Sequence, residues 1–332
     1  MSTEIILDCD TGIDDSLALL HLLQHPDAEL VAVLSTAGNV GVEAVTRNNL
    51  SWLEFCGRSD IGVHVGASGP LVAPLRTCED THGDHGVGYA QLPSPTTAPR
   101  DEDAADAWCR LTRERPGELV GLVIGPLTSL AMAIRRDPGL PQRLRRLVVM
   151  GGSFDHPGNT TPLAEWNVAV DPEAAHEVFT AFGVDGAPQP IICALNLTEQ
   201  VALTPEHLSR LGELADGPLV RHLNDALRFY FEFHQAQGEG YLAHVHDAFA
   251  AAVALDPSIV TTTPAVVDVE LNGTLTRGAM VADRRGFWGR PPNALIADTT
   301  DVPRFLDELV RSLATLAGRH LRPTGTARRP QN

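Results

Sequence analysis

The sequence predicts an α/β protein: a mostly parallel, doubly wound sheet with flanking helices, plus a helical insertion and a small β-meander in the C-terminal part. Three observations carry this. Short apolar runs rich in Val, Ile and Leu alternate with helical stretches from Ile5 to Leu195. Such runs, apolar on both faces, suit parallel strands joined by right-handed crossovers. Finally, polar or glycine-containing stretches recur at or just past the expected strand ends, at Asp10, Asn39, Ile124-Gly125, Met150-Gly151 and Asn196. In open α/β sheets that edge is where ligands bind.

The elements follow in order. Ile5-Ile6-Leu7 reads as a short buried strand, and Ser16–Leu23 as an apolar helix that Pro26 ends. Leu30–Leu34 is a second strand, 41–56 a helix and Val63–Val65 a third strand. Residues 66–100, rich in Gly, Pro and Thr, form a long loop of the kind that is usually functional. The alternation resumes with helix 102–114, strand Leu119–Ile124, helix Ser129–Arg136 and strand Leu147–Met150. A polar loop runs to Asn167, Asp171-Pro172-Glu173 caps the next helix, and Ile191–Leu195 is the next strand. Helices near 204–214 and 217–237 form the insertion, and Ala248–Leu255 is an apolar helix. Val266–Leu271 and Gly278–Ala282 read as the β-meander, and Val302–Leu316 as a closing helix. No linker divides the chain, so residues 1–317 are expected to be one α/β domain. The Arg-, Pro- and Thr-rich tail 318–332 is expected to be disordered.

Composition narrows the chemistry. The 332 residues are 43% hydrophobic and 20% charged, ordinary for a soluble enzyme with a sizeable core. A net charge of −17 argues against nucleic-acid or anionic-membrane partners. No run of roughly eighteen apolar residues and no basic, apolar leader is present, so a cytoplasmic location is expected. All 25 basic residues are Arg, which rules out Schiff-base, Walker-type or other lysine chemistry. The five cysteines (Cys9, Cys56, Cys78, Cys109, Cys193) are odd in number and scattered, and are expected to be reduced.

The stretch Asp8-Cys9-Asp10-Thr11-Gly12-Ile13-Asp14-Asp15 sets four carboxylates at the end of the first strand. Helix capping accounts for one or two of them. The others repel one another unless a proton or cation sits among them. An all-oxygen donor set favours Ca²⁺ or Mg²⁺ over zinc.

Two families place acids in this way. The haloacid dehalogenase-like phosphohydrolases use D-x-D-x-[TV], from which Gly12 departs. The nucleoside hydrolases of the inosine-uridine preferring type use D-[TC]-D-x-G-x-D-D, which fits throughout. Over roughly residues 4–316 the chain resembles the latter in Ala37-Gly38-Asn39, His82-Gly83, Gly125-Pro126-Leu127-Thr128 and Met150-Gly151-Gly152. Gly158-Asn159, Ala164-Glu165-Trp166-Asn167 and His246-Asp247 extend the resemblance.

The resemblance implies hydrolysis of the N-glycosidic bond of ribonucleosides to free base and ribose. It implies one Ca²⁺ on Asp10, Asp15, Asp247 and the Ile124 carbonyl, with a calcium-bound water activated by Asp10. Asp14, Asn39 and Asn167 would hold the secondary hydroxyls, with Asp247 also lining the substrate site. Asn159, Glu165 and the Met150 backbone would hold the 5′-hydroxyl, and Trp166 would stack or pack nearby. His246 is the implied acid for the departing base, with His82 near it. His85, His234, His244, Tyr230, Phe233 and Tyr241 are further candidates at the base end. A homodimer or homotetramer is the implied assembly. Thr11, Ser129 and Ala248-Phe249 depart from the usual pattern, the last beside the proposed acid. The rival readings are a calcium-dependent ribose- or nucleoside-binding protein without turnover and a metal-dependent phosphohydrolase.

Overall fold

The computed structural model describes residues 2–320. In chain order, strand β1 (Thr3–Cys9) leads to helix α1 (Ile13–Gln24), then β2 (Ala28–Ser35), α2 (Val42–Phe55) and β3 (Gly62–Val65). The long loop holds one short helix, α3 (Glu79–His82). Next come α4 (Ala104–Glu114), β4 (Val120–Val123), α5 (Thr128–Arg136), β5 (Arg146–Met150), α6 (Trp166–Val170), α7 (Pro172–Ala181) and β6 (Ile191–Cys193). The insertion comprises α8 (Leu195–Thr198), β7 (Ala202–Leu203), α9 (Pro205–Leu214), α10 (Pro218–Gln237) and β8 (Ala243–His244). Helix α11 (His246–Leu255), strands β9 (Val260–Val269), β10 (Met280–Asp283) and β11 (Ala294–Thr300), and helix α12 (Val302–His320) complete the described chain.

Among the described residues one nine-stranded sheet has the order β10-β9-β11-β6-β5-β4-β1-β2-β3. Strands β11 to β3 in that order pair in parallel, as the continuous apolar runs predict. The two strands expected as a β-meander are present as the antiparallel pair β9–β10, which is not separate from the main sheet. Strand β9 pairs antiparallel with both β10 and β11, and β11 joins them to the parallel sheet. The pattern of β11, Ala-Leu-Ile-Ala-Asp-Thr-Thr, had no strand assigned to it, because a mid-run Asp and two small residues weaken the periodicity.

Side chains alternate across the pleat and divide the core in two. Ile5, Leu7 and Cys9 of β1 face α1, α10, α11 and α12, whereas Ile6 faces α4, α5 and α7. Asp8 shares Ile6's side. It accepts hydrogen bonds from Trp108 Nε1 at 2.9 Å and Thr36 Oγ1 at 2.6 Å. Burial pushes its pKa up to about 6 against those two bonds. The sequence suggested that both Asp8 and Asp10 needed a cation. Asp8 instead finds neutral donors on the opposite face of the sheet.

Asp171 caps α7 by accepting from Ala174 N at 3.0 Å, a contact worth about 1 kcal/mol. Its other oxygen accepts from Thr128 Oγ1 and Leu71 N, which ties the long loop to the sheet edge. Helix α12 runs to His320, into the stretch expected to be a disordered tail, and the rest of that tail lies outside the described residues. No helix among the described residues is long and apolar enough to cross a membrane. The five cysteines are all unpaired, with Cys9, Cys109 and Cys193 buried.

Candidate active site

The chain leaves β1 in one direction to build β2 and β3, and later returns to lay β4 on the other side of β1. This reversal opens a crevice beyond the C-terminal ends of β1 and β4, where open sheets bind ligands. Asp10 follows β1, Asn39 follows β2, Ile124 follows β4 and Met150 ends β5. Asn39, Ile124 and Met150 border a pocket of about 380 Å³, within the range of small-molecule sites, and Asp10 lies behind them. Of the sequence candidates, Asp14, Asn39, His82, Ile124, Met150, Asn159, Glu165, Trp166, Asn167, His246 and Asp247 line it, as do Tyr230, Phe233, His234 and His244. His85 is exposed and offers its carbonyl to Asn48, and Tyr241 packs on Phe231, so neither lines the pocket.

The floor is acidic. Asp10 lies fully buried beneath it, with Oδ2 accepting from Asn39 N at 2.8 Å. Its Oδ1 is buried with no hydrogen-bond partner among the described residues. Glycine is required at two positions around this carboxylate. A Cβ on Gly38 would strike Asp10 Oδ2, and one on Gly125 would come within 2.8 Å of Oδ1. Helix α1 starts directly behind. Asp15 accepts from Gly12 N at 2.8 Å, Asp10 N at 3.2 Å and Asn39 Nδ2 at 3.2 Å. It thereby serves as the cap the sequence expected while facing the cluster.

One oxygen each from Asp14, Asp15 and Asp247 lie within 4.8 Å of one another. Asp247 is brought there by the first turn of α11, which packs on α1. Burial, then the neighbouring acids, raises the pKa of Asp10, of Asp14 (to about 8) and of Asp247; burial raises Asp15 as well. Buried carboxylates in such numbers need a partner charge, and the lone oxygen of Asp10 is a further free acceptor. This donor set fits a hard divalent cation. The cluster within ligand reach contains Asp14 where the sequence placed Asp10. The Ile124 carbonyl lies at the same wall but accepts from Asn167 Nδ2 at 2.9 Å.

The walls are polar and fixed. Glu165 caps α6, accepting from Asn167 N at 2.8 Å, Gly152 N at 2.9 Å and Val168 N at 3.1 Å. Burial still raises its pKa to about 7. Asn167 Nδ2 also donates to the Met150 carbonyl at 3.2 Å, and Asn159 Oδ1 accepts from Trp166 N at 2.9 Å.

The opposite end is a histidine rim. His82 Nδ1 accepts from Ile13 N at 3.1 Å, so its ring carries its proton on Nε2. Burial and then His234 lower its pKa to about 3. His246 opens α11 with Nδ1 at 2.8 Å from Thr198 Oγ1, and burial, then the other rim histidines, lower its pKa strongly. The rings form a chain, with centroids 4.9 Å apart from His234 to His244 and 5.6 Å from His244 to His246. The sequence reading missed Arg76, Cys78, Glu199, Gln237 and Glu239, which also line the pocket. Arg76 and Cys78 sit in the long loop already marked as functional. Glu199, Gln237 and Glu239 carried no motif of their own.

An acid-floored pocket at the switch point of a parallel sheet is a small-molecule site with a donor set suited to a hard cation. Residues 5–307 match the family described as inosine-uridine preferring nucleoside hydrolase, and the chain belongs to that family. An inosine-uridine preferring nucleoside hydrolase from Crithidia fasciculata is 36% identical over 317 residues, covering 94% of this chain and 98% of the relative. The pyrimidine-specific ribonucleoside hydrolase RihA of Salmonella paratyphi C is 34% identical over 314 residues, covering 94% and 99%. Among solved structures, the plant nucleoside hydrolase PpNRh1 superposes with a TM-score of 0.89 at 31% identity, covering 95% of this chain and 99% of that one.

Proposed function

We propose that this ribonucleoside hydrolase cleaves the N-glycosidic bond by water attack through an oxocarbenium-like transition state, with Ca²⁺ held on its acid floor. The observation that carries the reading is the convergence of buried carboxylates around Asp10, whose buried Oδ1 lacks a hydrogen-bond partner among the described residues. Asp14, Asp15 and Asp247 would hold the ion. When bound, it supplies positive charge that offsets the acids, orders the sugar hydroxyls and acidifies a neighbouring water.

Asp10 takes the proton from the attacking water. Its Oδ2 is fixed by the Asn39 amide, leaving Oδ1 as the base. Asp14, Asn39 and Asn167 orient the ribose 2′- and 3′-hydroxyls, and Glu165 and Asn159 face the 5′ end. Positive charge developing on the sugar ring is stabilised by the carboxylates below it. His246 donates the proton to the departing base from the ring nitrogen not engaged by Thr198. His82 Nε2–H supports the base beside it.

The named relatives divide between pyrimidine-specific and inosine-uridine preferring enzymes, so both base classes belong in the test. The enzyme is incubated with inosine, uridine, their 2′-deoxy forms and a phosphate ester, and the products are analysed. Free base and ribose are expected, with kcat/KM lower by up to about 10⁴-fold for the deoxy forms, because a site built to bind a hydroxyl is left unpaired. Release of phosphate, tight binding without products, or equal rates on ribo and deoxy substrates would overturn this function or pose.

A further inference from the structure

Above the acid floor, the pocket rim carries a second group of ligand-type side chains for which the hydrolytic steps have no use. One ligand atom each from His234, Glu239 and His244 lie within 4.8 Å of one another. Glu239 Oε2 is 3.8 Å from His234 Nε2 and 3.5 Å from His244 Nε2. Donor atoms bonded to one tetrahedral ion at about 2.0–2.1 Å stand about 3.4 Å from each other. The two separations are therefore long for hydrogen bonds and close to those of a ligand set.

Three separate pieces of chain bring these groups together. His234 is in the last turn of α10, which ends at Gly238 in the left-handed conformation, φ 85°. That turn reverses the chain and swings Glu239 back toward the helix end. His244 lies on β8, held in register by its pairing with β7. His234 Nδ1 is 2.8 Å from the Tyr230 carbonyl, so Nδ1 carries the proton and Nε2 presents its lone pair to Glu239. A carbonyl on the far ring nitrogen is the usual way a metal-binding histidine is oriented. The His234 and His244 side chains are 5% and 12% exposed whereas Glu239 is 51% exposed, so two desolvated imidazoles face an opening with a carboxylate at its lip.

We propose that His234, Glu239 and His244 form a binding site for a divalent cation of the zinc class, separate from the acid floor. Two imidazoles and one carboxylate suit Zn²⁺ and its neighbours in the transition series, whereas Ca²⁺ takes oxygen ligands. A fourth position remains open toward the pocket. An ion there joins the end of α10 to β8, two residues before His246.

The test uses the full chain saturated with Ca²⁺, titrated with Co²⁺ by visible absorption and with Zn²⁺ by calorimetry. One equivalent is expected to bind, giving the intense bands of tetrahedral cobalt, and Zn²⁺ should displace it. Glu239→Gln and His244→Ala should each weaken binding by about 100-fold or more, beyond what loss of an outer partner costs. Asp247→Asn should leave the affinity in place. Circular dichroism checks folding, and half-exposed Glu239 gives a variant that retains it. No stoichiometric binding, binding that survives both rim variants, or binding lost only in Asp247→Asn would overturn the assignment.

Discussion

The floor and the rim of the pocket are both buried and both rich in titratable groups, yet burial drives them in opposite directions. It raises the carboxyl pKa values of Asp10, Asp14, Asp15 and Asp247, and lowers the imidazole values of His82, His234, His244 and His246. The cause is the same, since low dielectric disfavours whichever form is charged. The outcomes differ because a neutral imidazole still accepts and donates, as His82 does. A cluster of neutral carboxylic acids would lose its attraction for a cation. In the proposed reading the floor takes its partner charge from Ca²⁺, whereas the rim imidazoles stay neutral and keep lone pairs available for the proposed zinc-class ion.

The largest effect should come from breaking the floor. Asp247→Asn keeps the shape of the side chain and removes one charge from the cluster. Calcium content should fall, and kcat/KM should drop on the order of 10⁴-fold or more, as when one member of a cooperating set is lost. Elemental analysis of the folded variant checks it, and wild-type calcium with lost activity would separate Asp247 from the ion.

Next comes the rim. His246→Ala should lose about 10²–10⁴-fold in kcat on a nucleoside, the scale of general acid catalysis. It should keep most of its rate on a p-nitrophenyl riboside, whose leaving group departs as a stable anion. Equal losses on both substrates would make His246 a positioning residue for its neighbour Asp247.

The smallest effect sharpens the comparison from outside the pocket. His21 is fully buried at the far end of α1, with neither ring nitrogen bonded and its pKa lowered to about 3, chiefly by burial. Its ordinary value is 6.5, so the unfolded chain takes up a proton first as pH falls. The folded state is favoured fully above that value and loses stability below it, about 2 kcal/mol between pH 6.5 and roughly pH 5. His21→Leu should flatten this slope in urea titrations. An unchanged slope would mean that this ring is not buried neutral. A depressed histidine pKa alone thus marks burial; at His246 it is the pocket and the neighbouring Asp247 that mark function.

Much of this was legible in sequence. The first strand, the acid run after it and the alternation to β6 depend on local periodicity and turn chemistry, which a chain carries in adjacent residues. The role of Asp8 was not legible, because its donor Trp108 is a hundred positions away. Strand β11 was missed because its pairing with β6 and β9, rather than its own composition, makes it a strand. The rim cluster of His234, Glu239 and His244 depends on a left-handed turn, which Gly238 after a helix can signal, and on a two-residue ladder too short to show a period. The convergence of the three was therefore not legible. The acids within ligand reach include Asp14 beside the expected Asp15 and Asp247, a convergence that depends on α11 docking on α1 and that spacing alone does not settle.

The position of Asp247 has a consequence for how the site is assembled. Asp10, Asp14 and Asp15 are neighbours in sequence, whereas Asp247 lies 232 positions beyond Asp15 and reaches them only when α11 docks on α1. Until then the chain has neither the complete acid cluster nor His246 beside it. On the proposed reading, an ion held by Asp14, Asp15 and Asp247 would tie the first helix to one of the last.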